Sequence, residues 1–307
     1  MKHFLDITDL DRDGLAVVME LSQMPVEELR RPLDGEGAAL IFEKPSNRTR
    51  HSMEMAVTQL GGHPIYTQGT EVGIDTREPA EDIARIMAGY HRLIAARVFD
   101  HSVLVRMADA VDGSMTTPAV SVVNMLSDRS HPLQGLADLL TMSQHLGDLS
   151  GRTVAWIGDY NNVARSLGEV AAMSGTHLRY GAPAGYGPDR SELDRLAALG
   201  AASVMSSGDP RDVVRGADAV HTDTWVSMGD EDEAEQRRAD FAGFCVDNEL
   251  MALAGPDAIF LHCLPAYRGL EVAAEVIDGP QSVVVAQGHN RLHAARGVLA
   301  YLLGVRA

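Results

Sequence analysis

Residues 41–56 read IFEKPSNRTRHSMEMA. An apolar run, Ala38–Phe42, stops at Lys44, Pro45, Ser46, Asn47, Arg48, Thr49 and Arg50, and an amphipathic pattern follows at once. The spacing predicts a buried strand, a tight polar turn and a helix. Ser46 can cap a helix that begins near Asn47 or Arg48. The first N–H groups of such a helix lack partners and face whatever lies over its N-terminus. Ser46 and Thr49 add hydroxyl donors, and Arg48 can grip a phosphate through two parallel bonds, which Lys cannot. Cations in a first turn oppose the helix dipole, so their placement points to an anion. The plain alternative is a capped helix with solvated arginines.

The same strand–turn–helix unit recurs along the chain. Apolar runs predict strands at Ala38–Phe42, Leu93–Phe99, Val120–Asn124, Val154–Gly158, His177–Gly181, Ala219–Thr222, Ala258–His262 and Val283–Ala286. Amphipathic patterns predict helices near 49–60, 78–90, 101–111, 131–146, 162–174, 190–199 and 209–216. Alternation of this kind implies parallel sheets covered on both faces. With 307 residues, two open, doubly wound α/β domains joined by interdomain helices are expected. The polar connection after Gly147 places the boundary there. Residues 1–147 form one domain, completed by a C-terminal helix at 289–307, and 148–288 form the other. The acidic run GDEDEAEQRRAD, residues 229–240, reads as a solvated loop.

Composition narrows the function classes. The chain is 45% hydrophobic and 22% charged with a formal net charge of −17. That charge argues against nucleic acid and anionic membranes as partners. An anion site must be a local concentration of positive charge. No apolar run reaches the roughly 18 residues of a membrane span. The opening MKHFLDITDLDRDGL has acids early and no apolar signal core, and the two cysteines, Cys245 and Cys263, show no paired metal spacing. A reducing, cytoplasmic setting is expected.

Ligands of open parallel sheets bind beyond the carboxyl ends of the strands, so the residues there are the candidates. After the second predicted strand, Arg97 stands in an apolar context and needs a partner; taken alone, a structural salt bridge serves it. His131 opens the helix at HPLQGLADLL, with Pro132 suited to its first turn and Gln134 one turn on. The pair is either a set of donors aimed at a carbonyl and an amide or an ordinary helix start. WIGDYNNVARSL lacks G-x-G-x-x-G, so a nicotinamide dinucleotide site is poorly supported. Asn161 or Asn162 can cap the helix there. Asp223, Ser227, Met228 and Cys263 also follow strands; alone, Met228 and Cys263 read as packing. His289 and His293 have helical metal spacing without a third ligand, so zinc is not expected.

In this order the motifs resemble the aspartate/ornithine transcarbamylase family. SNRTR is similar to its carbamoyl-phosphate signature, and HPLQGLADLLT to its His-Pro-x-Gln signature. GDYNNVARSL, DTWVSMG, HCLPAYRG and NRLHA are similar to the ornithine branch. The resemblance spans nearly the whole chain. It implies that carbamoyl phosphate binds first, its phosphate held by Ser46, Asn47, Arg48 and Thr49, with Arg291 part of the same site. Arg97 and His131 would polarise the carbonyl; Gln134 and the backbone of Cys263 and Leu264 would hold the amide. Asn162 and Met228 would read the α-carboxylate of ornithine, and Asp223 with Ser227 its α-ammonium. Cys263 beside Asp223 would orient or deprotonate the attacking amine. No metal or organic cofactor is implied, and the family's assembly is a trimer with shared active sites.

Three positions depart from the family pattern. Asn47 replaces a threonine but keeps its N–H. Gly73, in TEVGIDTREPAED, stands where a neighbouring subunit's Gln or His reaches the phosphate; Thr70 or Thr76 could substitute. His289, in QGHNR, replaces an acid beside Arg291. Competing readings are a carbamoyltransferase acting on putrescine or an N-acylornithine, and a non-catalytic paralogue that binds carbamoyl phosphate.

Overall fold

The computed structural model describes residues 2–113, 119–226 and 231–306. It divides into two compact units, Met1–Ala137 with Asn290–Ala307, and Asp138–His289. The first segment thus ends inside the helix Pro132–Leu146, before Gly147. No helix among the described residues is long and apolar enough to cross a membrane.

The first unit holds a parallel sheet in the order β2-β1-β3-β4, made of β1 (Gly37–Phe42), β2 (His63–Gln68), β3 (Leu93–Arg97) and β4 (Ser121–Leu126). β1, β3 and β4 are apolar and almost wholly buried. One face packs Ile41, Ile94 and Val122 against Ile83, Leu104 and Met107 of the helices Ala80–Met87 and His101–Asp112. The chain winds from β1 to β2 on one side and continues through β3 to β4 on the other, so its switch point lies between β1 and β3. The second unit repeats the scheme with β5 (Thr153–Ile157), β6 (His177–Gly181), β7 (Ser203–Ser207), β8 (Ala219–Thr222) and β9 (Ile259–His262), ordered β7-β6-β5-β8-β9 and parallel throughout. Its switch point lies between β5 and β8.

Two strands escape the sequence pattern, and both are edge strands. β2, HPIYTQ, and β7, SVMSS, are half exposed or more. An edge strand has one free side, so it tolerates polar residues and even Pro64. The expected strand Val283–Ala286 is a correction. The chain runs beside β9 only at Ser282, with Val283 N–H donating to the Phe260 carbonyl at 3.0 Å, and then enters the helix Val284–Leu302. Tertiary packing overrides the β preference of the valines there. The acidic run is also corrected: beyond Asp230 it forms a 3₁₀ turn, Glu231–Glu233, and a helix, Ala234–Asp240.

The C-terminal helix is seated in the first unit by a close approach to the helix Arg12–Gln23. Arg296 donates to the Ser22 and Met24 carbonyls at 3.2 and 3.1 Å and to Gln59 at 2.9 Å. A Cβ on Gly297 would lie 2.1 Å from Ser22 Oγ and 2.8 Å from the Val18 carbonyl oxygen. Gly297→Ala must therefore push the helices apart, at a cost of about 1–3 kcal/mol, read as a lower thermal midpoint. Because Arg291 lies on the same helix, its position should shift with the helix.

Candidate functional site

At the first switch point the sequence builds a cluster around one hydroxyl. Ser46 is the N-cap of the helix Asn47–Gln59, accepting from Thr49 N–H at 3.3 Å. A cap of this kind contributes about 1 kcal/mol and fixes the first turn. Thr49, only 1% exposed, is thereby held beneath the ends of β1 and β3. Ser46 Oγ lies 3.0 Å from Thr49 Oγ1. Arg97, the last residue of β3, reaches the same oxygen through Nη1 at 3.4 Å, and Arg291 through Nη2 at 2.8 Å. Arg291 Nη1 donates to Gln134 Oε1 and stands 3.3 Å from His131 Nε2. Arg97, His131, Gln134 and Arg291 are all buried.

Two guanidinium groups beside one imidazole decide its charge. Burial, then Arg291, then Arg97 hold the His131 pKa well below its ordinary 6.5. The ring is neutral, and an added proton would sit next to two fixed cations.

The cations of the opening stretch divide their tasks. Lys44 Nζ rests 4.4 Å from the Phe99 ring centroid, and the Arg50 guanidinium lies 3.7 Å over Tyr66 while pairing with Glu54 at 2.8 Å. These are local contacts. Arg48 is half-buried in the first turn, and Asn47, the first helical residue, is exposed. The segment with Gly73 folds tightly. Gly73 has φ +65°, and its carbonyl accepts from Thr76 and Arg77 N–H at 3.1 and 2.7 Å. A Cβ there would meet Arg77 Cβ at 2.8 Å, so the turn itself favours glycine. The Thr76 hydroxyl donates to the same carbonyl at 3.0 Å, while Thr70 is exposed.

The second switch point carries a carboxylate. Asp223, one residue beyond β8 and 7% exposed, accepts from Asn161 Nδ2 at 3.0 Å, Cys263 Sγ at 2.9 Å and Thr224 N–H at 2.8 Å. Asn161 is the helix cap, its Oδ1 taking the N–H groups of Val163 and Ala164. Asn162 follows it as the first helical residue. Thus Asn161, not singled out as a binding residue by the sequence, joins the loop after β5 to the loop after β8. Ser227 and Met228 lie outside the described residues, as do Gly229 and Asp230.

A buried polar network stands behind Cys263. Gln287, one turn before Arg291 in sequence, accepts from His262 N–H at 2.9 Å and donates to Asp138 at 2.7 Å; its Nε2 lies 3.0 Å from His221 Nε2. His221 stacks on Trp156 at 5.0 Å and places Nδ1 3.0 Å from the Thr222 carbonyl. His262 Nδ1 accepts from Leu264 N–H at 2.9 Å, and its Nε2 faces Glu271 at 3.2 Å. Leu264 has φ +58° and a cis bond to Pro265. Asp223, His262 and Cys263 bring a carboxylate oxygen, a ring nitrogen and a thiol within 4.8 Å of one another. Both ring nitrogens of His262 already serve the loop, so the group fits placement of Cys263 better than metal ligation. His289 is exposed on its helix.

Holding His131 neutral has a consequence for stability. Below about pH 6.5 the unfolded chain binds a proton at this residue that the fold refuses, so stability falls as the pH drops. The slope reaches about 1.4 kcal/mol per pH unit. Denaturation from pH 7 to 5 should show that loss, and His131→Gln should remove this component of it.

Comparison with known proteins places these features in a family. Residues 2–144 match the aspartate/ornithine carbamoyltransferase carbamoyl-P binding domain, and residues 150–302 the Asp/Orn binding domain. The ornithine carbamoyltransferase of Bradyrhizobium diazoefficiens is 44% identical over 98% of this chain and 96% of its own. The Pyrococcus furiosus ornithine carbamoyltransferase structure superposes with a TM-score of 0.91 at 39% identity, covering 99% of this chain and 98% of its own. An acetylornithine transcarbamylase complexed with acetylcitrulline superposes at 0.85 with 30% identity, covering 99% and 100%. With both domain models matched in order along nearly the full length, the chain belongs to the aspartate/ornithine carbamoyltransferase family.

Proposed function

We propose that this protein transfers the carbamoyl group of carbamoyl phosphate to the side-chain amine of L-ornithine, giving L-citrulline and phosphate, a step of arginine biosynthesis. The observation that carries the reading is the convergence of Arg97 and Arg291 on Thr49 beside a neutral His131. In water-poor surroundings such fixed donors stabilise developing negative charge at little reorganisation cost.

In this reading the phosphate sits over the helix N-terminus, held by Ser46, the Asn47 N–H, Arg48, Thr49 and Arg291. Arg97 and His131 donate to the carbonyl oxygen, and Gln134 with the backbone of Cys263 and Leu264 holds the carbamoyl amide. A neutral His131 can donate without adding a third cation. Asp223 and Ser227 receive the α-ammonium of ornithine; Asn162 and Met228 receive its α-carboxylate. The uncharged Nδ attacks the carbonyl carbon, a C–N bond forms, and the C–O bond to phosphate breaks as the departing phosphate takes the amine proton. Cys263, held on Asp223, orients the amine and forms no covalent bond. Holding two substrates together supplies much of the rate.

The assembly proposed is a homotrimer in the cytoplasm. Met55, Ile65, Ile86 and Tyr90, all in the first unit, are 45–68% exposed, and apolar surface of this kind supports association. Light scattering should return three times the 33.0 kDa chain mass; a monomer would overturn it.

The activity is tested with purified protein, carbamoyl phosphate and a panel of amines. Ornithine should yield citrulline with a kcat/KM well above putrescine or N-acetylornithine, and a reversed order would overturn the acceptor assignment. Arg48→Ala should reduce carbamoyl-phosphate binding by about a hundredfold, in line with losing a charge-assisted bidentate contact. Asp223→Ala should spoil ornithine binding and spare carbamoyl phosphate. Equal damage to both ligands would contradict the division of the sites.

A further inference from the structure

The acidic run that the sequence presents as a solvated loop sends one arginine inward. The Arg237 side chain is 12% exposed. Its Nη1 donates to Asp159 Oδ2 at 2.8 Å and to the Trp225 carbonyl at 3.3 Å, and its Nε to Glu233 at 3.0 Å. The guanidinium carbon stands 5.3 Å from the Tyr186 ring centroid. These partners follow three different strands: Asp159 follows β5, Tyr186 follows β6 and Trp225 follows β8. Tyr186 in turn donates its hydroxyl to Asp240 at 2.8 Å, and Phe241 stacks on Trp225 with 5.6 Å between centroids. The helix Ala234–Asp240 is therefore anchored on both sides of Arg237.

The two partners of Nη1 are neighbours of the residues that meet at the second switch point. Asp159 lies two residues before Asn161, and Trp225 lies two residues after Asp223 and two before Ser227. One guanidinium nitrogen, Nη1, thus bridges the loops that carry Asn161 and Asp223, while Nε ties the planar group to Glu233. We propose that Arg237 is a positioning residue of the acceptor-amine site, and this rests on the reading of Asp223 as the acceptor's anchor. Arg237 fixes where Asn161 and Asp223 stand when the amine arrives, and preorganisation of this kind appears in binding of that substrate.

Arg237→Gln, Arg237→Lys and Asp159→Asn are compared with the unaltered enzyme by steady-state kinetics in both substrates and by equilibrium binding of carbamoyl phosphate. Arg237→Gln should raise the ornithine KM by about tenfold or more, with kcat within about threefold and carbamoyl-phosphate affinity unchanged. Arg237→Lys keeps the charge without the fork and should recover part of the loss; Asp159→Asn should shift KM in the same direction. A merely structural role would lower the active fraction, hence kcat, and leave both KM values alone. If Arg237→Gln does not fold, the two milder variants carry the test. The proposal is overturned by an ornithine KM within about threefold of the unaltered enzyme in the folded variants, or by an equal rise in both KM values. Should the unaltered enzyme prefer another amine, the ornithine assignment fails, and the same KM comparison made with that amine still decides the role of Arg237.

Discussion

The arrangement at the end of the first sheet depends on the hydroxyl of Thr49. Two guanidinium groups, one from the end of β3 and one from the C-terminal helix, meet it within a chain whose net charge is −17. Bringing like charges together in a buried place is unfavourable, and the fold meets that cost with specific geometry. Ser46 caps the helix so that Thr49 cannot drift, and the register of β1 on β3 aligns Phe42 with Arg97. Gly297 and Arg296 seat the last helix so that Arg291 reaches the same oxygen. Each of these is a backbone or packing requirement, and each bears on where the positive charge stands.

The same field sets the state of His131. A histidine in water gains a proton near neutrality, yet this one is buried beside two cations and stays neutral. In the proposed reaction it therefore acts as a hydrogen-bond donor and not as an acid. At the second switch point the sign is reversed. Asp223 is steadied by an amide, a thiol and a backbone N–H, all uncharged donors, so its negative charge is oriented without being neutralised. The Gln287 network does comparable work for the loop after β9, where it fixes His262 and so the residue beside it.

Much of this was legible in the sequence, for reasons that also explain the failures. Buried strands announce themselves because both faces are apolar, so seven of the nine strands among the described residues are legible; β2 and β7, at sheet edges, have no such obligation. Ser46 was readable as a cap because its chemistry is local. Asn161 was not distinguished from Asn162 because both can cap a helix, and only the position of Asp223, far away in sequence, separates them. The acidic run misled because most of its described residues are exposed, while Arg237 turns inward to partners that follow three distant strands. Gln287 gave one usable signal, its place a turn before Arg291, but a buried glutamine is recognised only by what it bridges.

Duplicating one winding scheme in two units has a chemical use. The proposed reaction needs a positive site for a phosphate and a negative one for an ammonium group, close enough to react but not so placed that they neutralise each other. A guanidinium and a carboxylate held close within one unit pair, as Arg106 of the helix His101–Asp112 pairs with Asp75 and with Glu81 of the helix Ala80–Met87. Here the cations follow the switch point of the first sheet and the carboxylate that of the second. Each is oriented by hydrogen bonds of its own unit, Arg291 by Thr49 and Gln134, Asp223 by Asn161 and Cys263. The separation of sign between the sheets is thus a property of topology first and of residue choice second. An acidic chain thus gathers positive charge at the switch point of one sheet and orients it with hydrogen bonds of that unit.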